Sequence, residues 1–156
     1  MQTYHFESEI IVHTPRDEIF QFFSDAENLE HITPDSLQFK ILSPLPIAMG
    51  EGTQIDYRLK IYGLPLRWQT EITVWDPPNR FIDSQLKGPY KTWIHEHIFI
   101  DIDDKCLIRD KVSYQLKGGI LAPIINQILV QKDVTKIFNF RAAKILTLFS
   151  AESQIK

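Results

Sequence analysis

The side chains able to do chemistry gather in one part of the chain. His95-x-His97 sets two imidazoles two residues apart, and Asp83-x-Gln85 and Asp110 lie on either side in sequence. On an extended strand this spacing turns both histidines to one face. If Asp103-Asp104 is a two-residue hairpin turn, opposed residues have a constant sum and share a face. Phe99 then faces Ile108, His97 faces Asp110, His95 faces Val112 and Trp93 faces Tyr114, while Glu96 meets Lys111 and Ile98 meets Arg109 on the other side. A slip of one residue would oppose Ile98 to Asp110 and lose the Glu96–Lys111 match.

Three kinds of chemistry suit this group. Two imidazoles and a carboxylate can begin a first shell for zinc or iron. No fourth ligand is indicated by spacing, and Glu96 points to the opposite face, so no metal and no cofactor is expected. A histidine beside a carboxylate in a low-dielectric pocket can also be tuned for proton transfer. His95, His97 and Asp110 are therefore the candidate catalytic residues. In the third reading, which is preferred, the same residues form a buried network in which Asp110 fixes the His97 tautomer and the polar end of a mostly apolar ligand is oriented. Cys106 borders the turn with no histidine placed to activate it and is expected to be inert. Gly50-x-Gly52 lacks the spacing and following helix of a phosphate loop. Arg141, at the border of an apolar helical stripe, is expected either to pair with a carboxylate near the cavity mouth or to extend its head to solvent.

These residues need a sheet to hold them. Tyr4 to Val12 reads as a strand. Thr14-Pro15 suits a helix start, with Thr14 as cap, and Asp17 and Glu18 suit the first turn. Ser24-Asp25-Ala26-Glu27 has capping-box spacing and predicts a second short helix to about His31. A strand is expected over Leu37 to Leu42, then a Pro-rich loop from Ser43 to Gly52. Ile55 to Ile61 and Leu66 to Val74 alternate with period two. Strands are expected from about Arg80 to Leu86, Tyr90 to Ile102 and Cys106 to Leu116, joined by short loops as an antiparallel meander. From Leu121 two apolar stripes of helical period are rotated against each other, which predicts a kink near Gln131 to Asp133.

A loop at Asp76 to Asn79 sets Thr70 against Gln85 and Ile72 against Asp83. A loop at Tyr62 to Pro65 sets Tyr57 against Thr70 and Leu59 against Trp68. One concave face is thus expected to carry Tyr57, Leu59, Trp68, Thr70, Ile72 and Phe81 on its first strands. Asp83, Gln85, Trp93, His95, His97 and Phe99 continue it, and Asp110, Val112 and Tyr114 complete it. Burying that many ionisable groups in a packed core is costly, so an aromatic cavity with a polar strip fits better. All fifteen are the candidate ligand-binding residues.

Composition narrows the classes of function. The 156 residues suit a single domain over 1–156, α+β in class, with a core that needs no staples. Seventeen Lys+Arg against twenty Asp+Glu give a formal charge of −3, which excludes the basic footprint of a nucleic-acid binder. The single cysteine excludes a disulfide scaffold. No apolar run approaches a membrane span, so the chain is not expected to be an integral membrane protein. Met1 to Phe6 carry neither a basic nor an apolar signal region, so a cytoplasmic location is expected. No protein partner is indicated.

Several motifs together give a resemblance. They are Asn28-Leu29-Glu30-His31-Ile32-Thr33-Pro34, Ile55-Asp56-Tyr57, Gly63-Leu64-Pro65-Leu66-Arg67-Trp68 and Trp75-Asp76-Pro77-Pro78. Further on stand Asp83-x-Gln85-x-x-Gly88-Pro89-Tyr90-x-x-Trp93-x-His95-x-His97-x-Phe99, Asp110-x-Val112-x-Tyr114 and Ile137-Phe138-x-Phe140-Arg141. With these the chain resembles the SRPBCC superfamily, the START-like, birch-pollen-allergen-like helix-grip group, and more closely its bacterial ligand-binding or cyclase/dehydrase-type members. It departs from them at the hairpin turn, where Lys105-Cys106 replaces a frequent Gly-Thr. The resemblance implies a seven-stranded curved antiparallel sheet wrapped round a long C-terminal helix, two short helices after the first strand, and a ligand tunnel between sheet and helix. It does not imply one chemistry, since such proteins include lipid carriers, hormone receptors and polyketide cyclases. The expected function is binding or carriage of a small hydrophobic molecule with a polar end. The alternative is a cyclase, dehydratase or hydrolase that uses the His/Asp pair.

Overall fold

The computed structural model describes residues 1–154, with side-chain surroundings as far as 149. The elements run β1 (Tyr4–Val12), α1 (Arg16–Phe23), α2 (Asn28–His31), β2 (Lys40–Ile41), β3 (Gln54–Ile61), β4 (Leu64–Asp76), β5 (Arg80–Lys87), β6 (Thr92–Ile102) and β7 (Lys105–Gln115). The chain ends in a continuous helical stretch: α3 (Ala122–Ile125), a π-helical turn (Asn126–Val130) and α4 (Gln131–Gln154). The strands form one seven-stranded antiparallel sheet in the order β1-β7-β6-β5-β4-β3-β2. This is the helix-grip architecture expected from the resemblance.

The expected β6–β7 register holds, with His97 opposite Asp110 and Phe99 opposite Ile108. Asp103 and Asp104 both take positive φ, 43° and 67°, as a two-residue turn matched to strand twist requires. The β3–β4 hairpin differs from expectation. It closes with a two-residue turn at Tyr62-Gly63, φ 51° and 75°, so Tyr57 opposes Trp68 and Leu59 opposes Leu66. Pro65 belongs to the strand, not the loop, because β5 pairs with β4 only from Gln69 onward and asks for no N–H there. The correction is two residues, so every side chain keeps its face.

Other expectations are corrected locally. Thr14 is buried and does not cap α1, whose first turn closes on the Pro15 carbonyl instead. The Ser24 hydroxyl donates back to the Phe20 carbonyl at 2.8 Å and Asp25 accepts the Glu27 N–H at 3.0 Å, so no capping box forms and α2 begins at Asn28. The strand expected over 37–42 shrinks to Lys40–Ile41, because a 3-10 turn occupies Asp35–Leu37 and Gln38 takes a positive φ of 45°. The break in the C-terminal helix lies at the π-helical turn, just before the expected position. One extra residue in that turn rotates the stripes that follow.

The core has three parts. α1 packs on β6 and β7, burying Ile19, Phe20 and Phe23 against Phe81, Phe99, Cys106 and Ile108. Val134 and Phe138 of α4 cover Val112 and Tyr114. Ile41, Ile55, Tyr57 and Leu59 form a third cluster, with Phe39, Met49 and Trp68 at its margin. The sheet is thus covered jointly by α1 and α4, where the long helix alone was expected to do so.

Candidate functional site

Between the third cluster and the helices the interior is left open, as a cavity of about 210 Å³. Its wall is built from the inward residues of β3, β4, β5 and β6, and from α1, α2, the following loop and α4. Tyr57, Leu59, Trp68, Thr70, Ile72, Phe81, Asp83, Trp93, His95 and His97 line it, in keeping with the strand parity. The aromatic part is tightly engaged: Trp68 meets Trp93 edge-on at 5.5 Å and Tyr90 at 5.6 Å.

Five expected residues share the concave face but do not line the cavity. Phe99 is buried among Phe20, Phe23 and Phe81. Val112 and Tyr114 lie under α4, and the Tyr114 hydroxyl donates to Asn126 at 2.6 Å. Asp110 sits behind the histidines. Gln85 folds onto the backbone of Tyr90, donating to its carbonyl at 2.9 Å and accepting its N–H at 3.2 Å, and so braces the Gly88-Pro89 bend. Alternation fixes the face of each side chain, while the placement of the helices decides which stretch of that face stays uncovered.

Of the lining residues outside the expected set, Ile55 and Ile61 continue the inward face of β3, and most others come from elements without period-two alternation. Phe22 and Phe23 of α1, Leu29 of α2, Ile32 just beyond it, Phe39 and Met49 close one side. Ile137, Phe138 and Arg141 of α4 close the other. Contacts between distant elements leave no local period, so nothing along the sequence places these helix and loop side chains against the cavity.

At the polar end five groups interlock. His95 Nε2 lies 2.7 Å from Asp110 Oδ1 and His97 Nε2 lies 2.6 Å from Asp83 Oδ2. The carboxylates can only accept, so both Nε2 atoms carry the proton. Arg141 Nη2 donates to His97 Nδ1 at 3.3 Å and lies 3.8 Å from Asp110 Oδ1. The expected partnership of His97 with Asp110 is therefore corrected. Directly opposed in register, they come no closer than 3.6 Å, and each bonds to another neighbour. The cause is stacking: the His95 and His97 rings lie 3.6 Å apart and His97 stacks on Phe81 at 4.1 Å, which directs the two Nε2 atoms to different carboxylates. Arg141 is buried rather than extended to solvent, with its guanidinium over Phe23 and Phe138.

Electrostatics follow from burial and pairing. Burial, with the nearby His95, pushes His97 down to about 4 against the opposing pull of Asp83, so the ring is neutral at neutral pH. Burial alone would raise both carboxyls. For Asp83 the His97 hydrogen bond and the histidine and arginine charges outweigh it, and for Asp110 the Arg141 charge and the His95 bond do. Both carboxyls are held below their ordinary range and are ionised. Burial pushes the Cys106 thiol up to about 11, which makes it the inert side chain expected.

Asp83, His95 and His97 bring ligand atoms within 4.8 Å of one another, the arrangement a metal would need. The set does not fit one. Both Nε2 atoms are committed to carboxylates and Arg141 donates to the remaining nitrogen of His97, so only His95 Nδ1 and Asp83 are left to bind an ion, too few to hold one. Two further donors matter: among the described residues, Trp68 Nε1 and Arg141 Nε are buried without a hydrogen-bond partner.

Comparison with known proteins agrees with this architecture. A family model described as polyketide cyclase/dehydrase and lipid transport matches residues 12–135. No curated protein matches the chain. Among solved structures, the chain is similar to the Zhui aromatase/cyclase from Streptomyces sp. R1128 at 16% identity and TM-score 0.76, over 99% of this chain and 97% of that one. It is similar to norcoclaurine synthase from Thalictrum flavum at 16% identity and TM-score 0.70, over 97% of each chain. It is also similar to ginseng major latex-like protein 151 from Panax ginseng at 12% identity and TM-score 0.65, over 94% of this chain and 97% of that one. At these identities the likeness is one of fold. No helix among the described residues is long and apolar enough to cross a membrane.

Proposed function

The chain belongs to the polyketide cyclase/dehydrase and lipid transport family of the SRPBCC superfamily, and from that premise we propose that it binds a small hydrophobic molecule, polar at one end, in its interior cavity. The observation that carries this reading is an apolar, aromatic space that ends on a hydrogen-bonded cluster of Asp83, His95, His97, Asp110 and Arg141. Apolar walls supply affinity and a few convergent polar groups supply orientation. At about 210 Å³ the cavity lies below the common range of roughly 300–1,000 Å³, so as it stands it suits a molecule of one or two rings.

A cyclase, dehydratase or hydrolase activity is the second reading, favoured by two histidine–carboxylate pairs beside one cavity. Binding is preferred because His97 is closed as a base, one nitrogen donating to Asp83 and one accepting from Arg141, which leaves Asp83 and His95 Nδ1 as the acceptors that orient a ligand or, in the second reading, take its proton. A general base needs a lone pair within reach of the substrate proton.

Displacement of the neutral two-ring dye Prodan by small aromatic molecules, followed by native mass spectrometry, tests the proposal. Binding is expected to leave the displacing molecule at unchanged mass. Absence of dye binding would overturn the cavity reading, and a changed ligand mass would favour the enzyme.

A further inference from the structure

The polar end of the cavity has a charge that selects among ligands. Asp83 is its most accessible member, with a side chain 16% exposed against 6% for each histidine and 9% for Asp110 and Arg141. Its Oδ2 accepts from His97, while Oδ1 has only a long contact of 3.5 Å from the Thr70 hydroxyl, which bonds better to the Ser84 carbonyl at 3.1 Å. An incoming polar group therefore meets a carboxylate oxygen with spare capacity to accept. Two carboxylates face one guanidinium here, and His97 holds a single proton between Asp83 and Arg141. Whichever form His95 takes, the cluster has no net positive charge with which to receive an anion.

The donors on the cavity wall are of the opposite kind. Trp68 Nε1 and Arg141 Nε are buried and unpartnered, and Arg141 as a residue is only 7% exposed. A buried donor without a partner is unfavourable until an acceptor reaches it. The site thus asks for one group that donates to Asp83 and another oxygen, or the same one, that accepts from a wall donor. A hydroxyl does both. A carboxylate can only accept, and it would bring a third negative charge beside Asp83.

We infer that the cavity takes a neutral hydroxylated aromatic molecule and discriminates against the corresponding aromatic carboxylate. The inference rests on the proposed binding function and names its ligand class. The ring would lie among Tyr57, Trp68, Tyr90 and Trp93, with its hydroxyl directed to Asp83.

Isothermal titration of the full chain at pH 7 with 2-naphthol and 2-naphthoate tests it, with Prodan binding measured in parallel. The naphthol is expected to bind about tenfold or more tightly than the naphthoate, the consequence of one unfavourable charge contact. Asp83→Asn, checked for folding by circular dichroism, should narrow the ratio to about threefold or less, because the repelling charge is gone. Trp68→Phe, which removes the indole N–H and keeps an aromatic wall, should weaken the naphthol. Equal or tighter binding of the naphthoate to the parent protein would overturn the inference, and this comparison needs no variant to fold. If Prodan binds and neither the naphthol nor the naphthoate does, the ligand class falls while the cavity survives. If Prodan fails as well, the binding function falls with it.

Discussion

The two ends of the concave face carry the same alternation of apolar side chains and differ in what lies against them. Toward β6 and β7, Phe99, Ile108 and Cys106 are sealed by Ile19, Phe20 and Phe23 of α1, and Val112 and Tyr114 by Val134 and Phe138 of α4. Toward β3 and β4, Tyr57 and Leu59 pack with Ile41, Ile55, Phe39 and Met49, Trp68 meets Tyr90 and Trp93, and space remains. The ionisable cluster lies at the boundary. His95 and His97 are each met from the packed side, by Asp110 and Arg141, and Asp83 is left as the group facing the open side. A filled half fixes geometry and an open half accepts a guest, though sequence alternation describes both alike.

The largest effect should separate the halves. Phe99→Ala is expected to destabilise the protein by about 3–5 kcal/mol, the scale of a large core truncation. Trp68→Ala, beside existing space, should cost about half as much or less and abolish Prodan binding. Urea unfolding of both variants would erase the distinction if it returned equal losses.

The boundary cluster comes next. A double-mutant cycle with His95→Ala and Asp110→Ala is expected to show a coupling of about 1–3 kcal/mol, because removal of one partner strands the other in a buried site. The His97–Asp110 cycle should give a smaller value, as their side chains stand 3.6 Å apart and each bonds elsewhere. The reverse order would restore the pairing read from the register.

The pH dependence should reveal the same boundary with somewhat smaller amplitude. His97 is held at about 4 in the folded protein, below the histidine range of an unfolded chain. The unfolded state therefore binds the extra proton first, and stability present above about pH 6.5 is lost as the pH falls toward 4, by about 1–3 kcal/mol. The depressed carboxyls of Asp83 and Asp110 extend the loss to lower pH. Thermal unfolding of His97→Gln between pH 7 and 4 should show a flatter profile, and an unchanged slope would remove His97 as the source.

The smallest effect belongs to the outer rim of the open half. The Tyr62 hydroxyl at the β3–β4 turn donates to Asp133 of α4 at 2.6 Å, in an exposed position. Tyr62→Phe should leave the unfolding midpoint unchanged within error, since water replaces an exposed bond at little cost. A clear loss would show that the open half is held shut by this contact and is less independent of α4 than its packing suggests.

Period-two alternation determined the strands, their faces and the β6–β7 register by itself, because a strand side chain can point only to one side or the other. The turn at Asp103-Asp104 and the constant sum across it place His95, His97 and Asp110 on one face from the sequence alone. The Tyr62-Gly63 turn was less legible, since Pro65 signals a loop in sequence and becomes a strand residue only where a neighbouring strand leaves its nitrogen unclaimed. Tertiary structure alone decided three things. It directed the stacked histidines to different carboxylates, so that opposed backbone positions did not become bonded side chains. It brought Arg141 from a helix stripe into the cluster across 44 positions of sequence. It left β3 and β4 uncovered while α1 filled the space over Phe99. Each depends on where a helix comes to rest on a sheet, which is set by packing between distant elements and has no period along the chain.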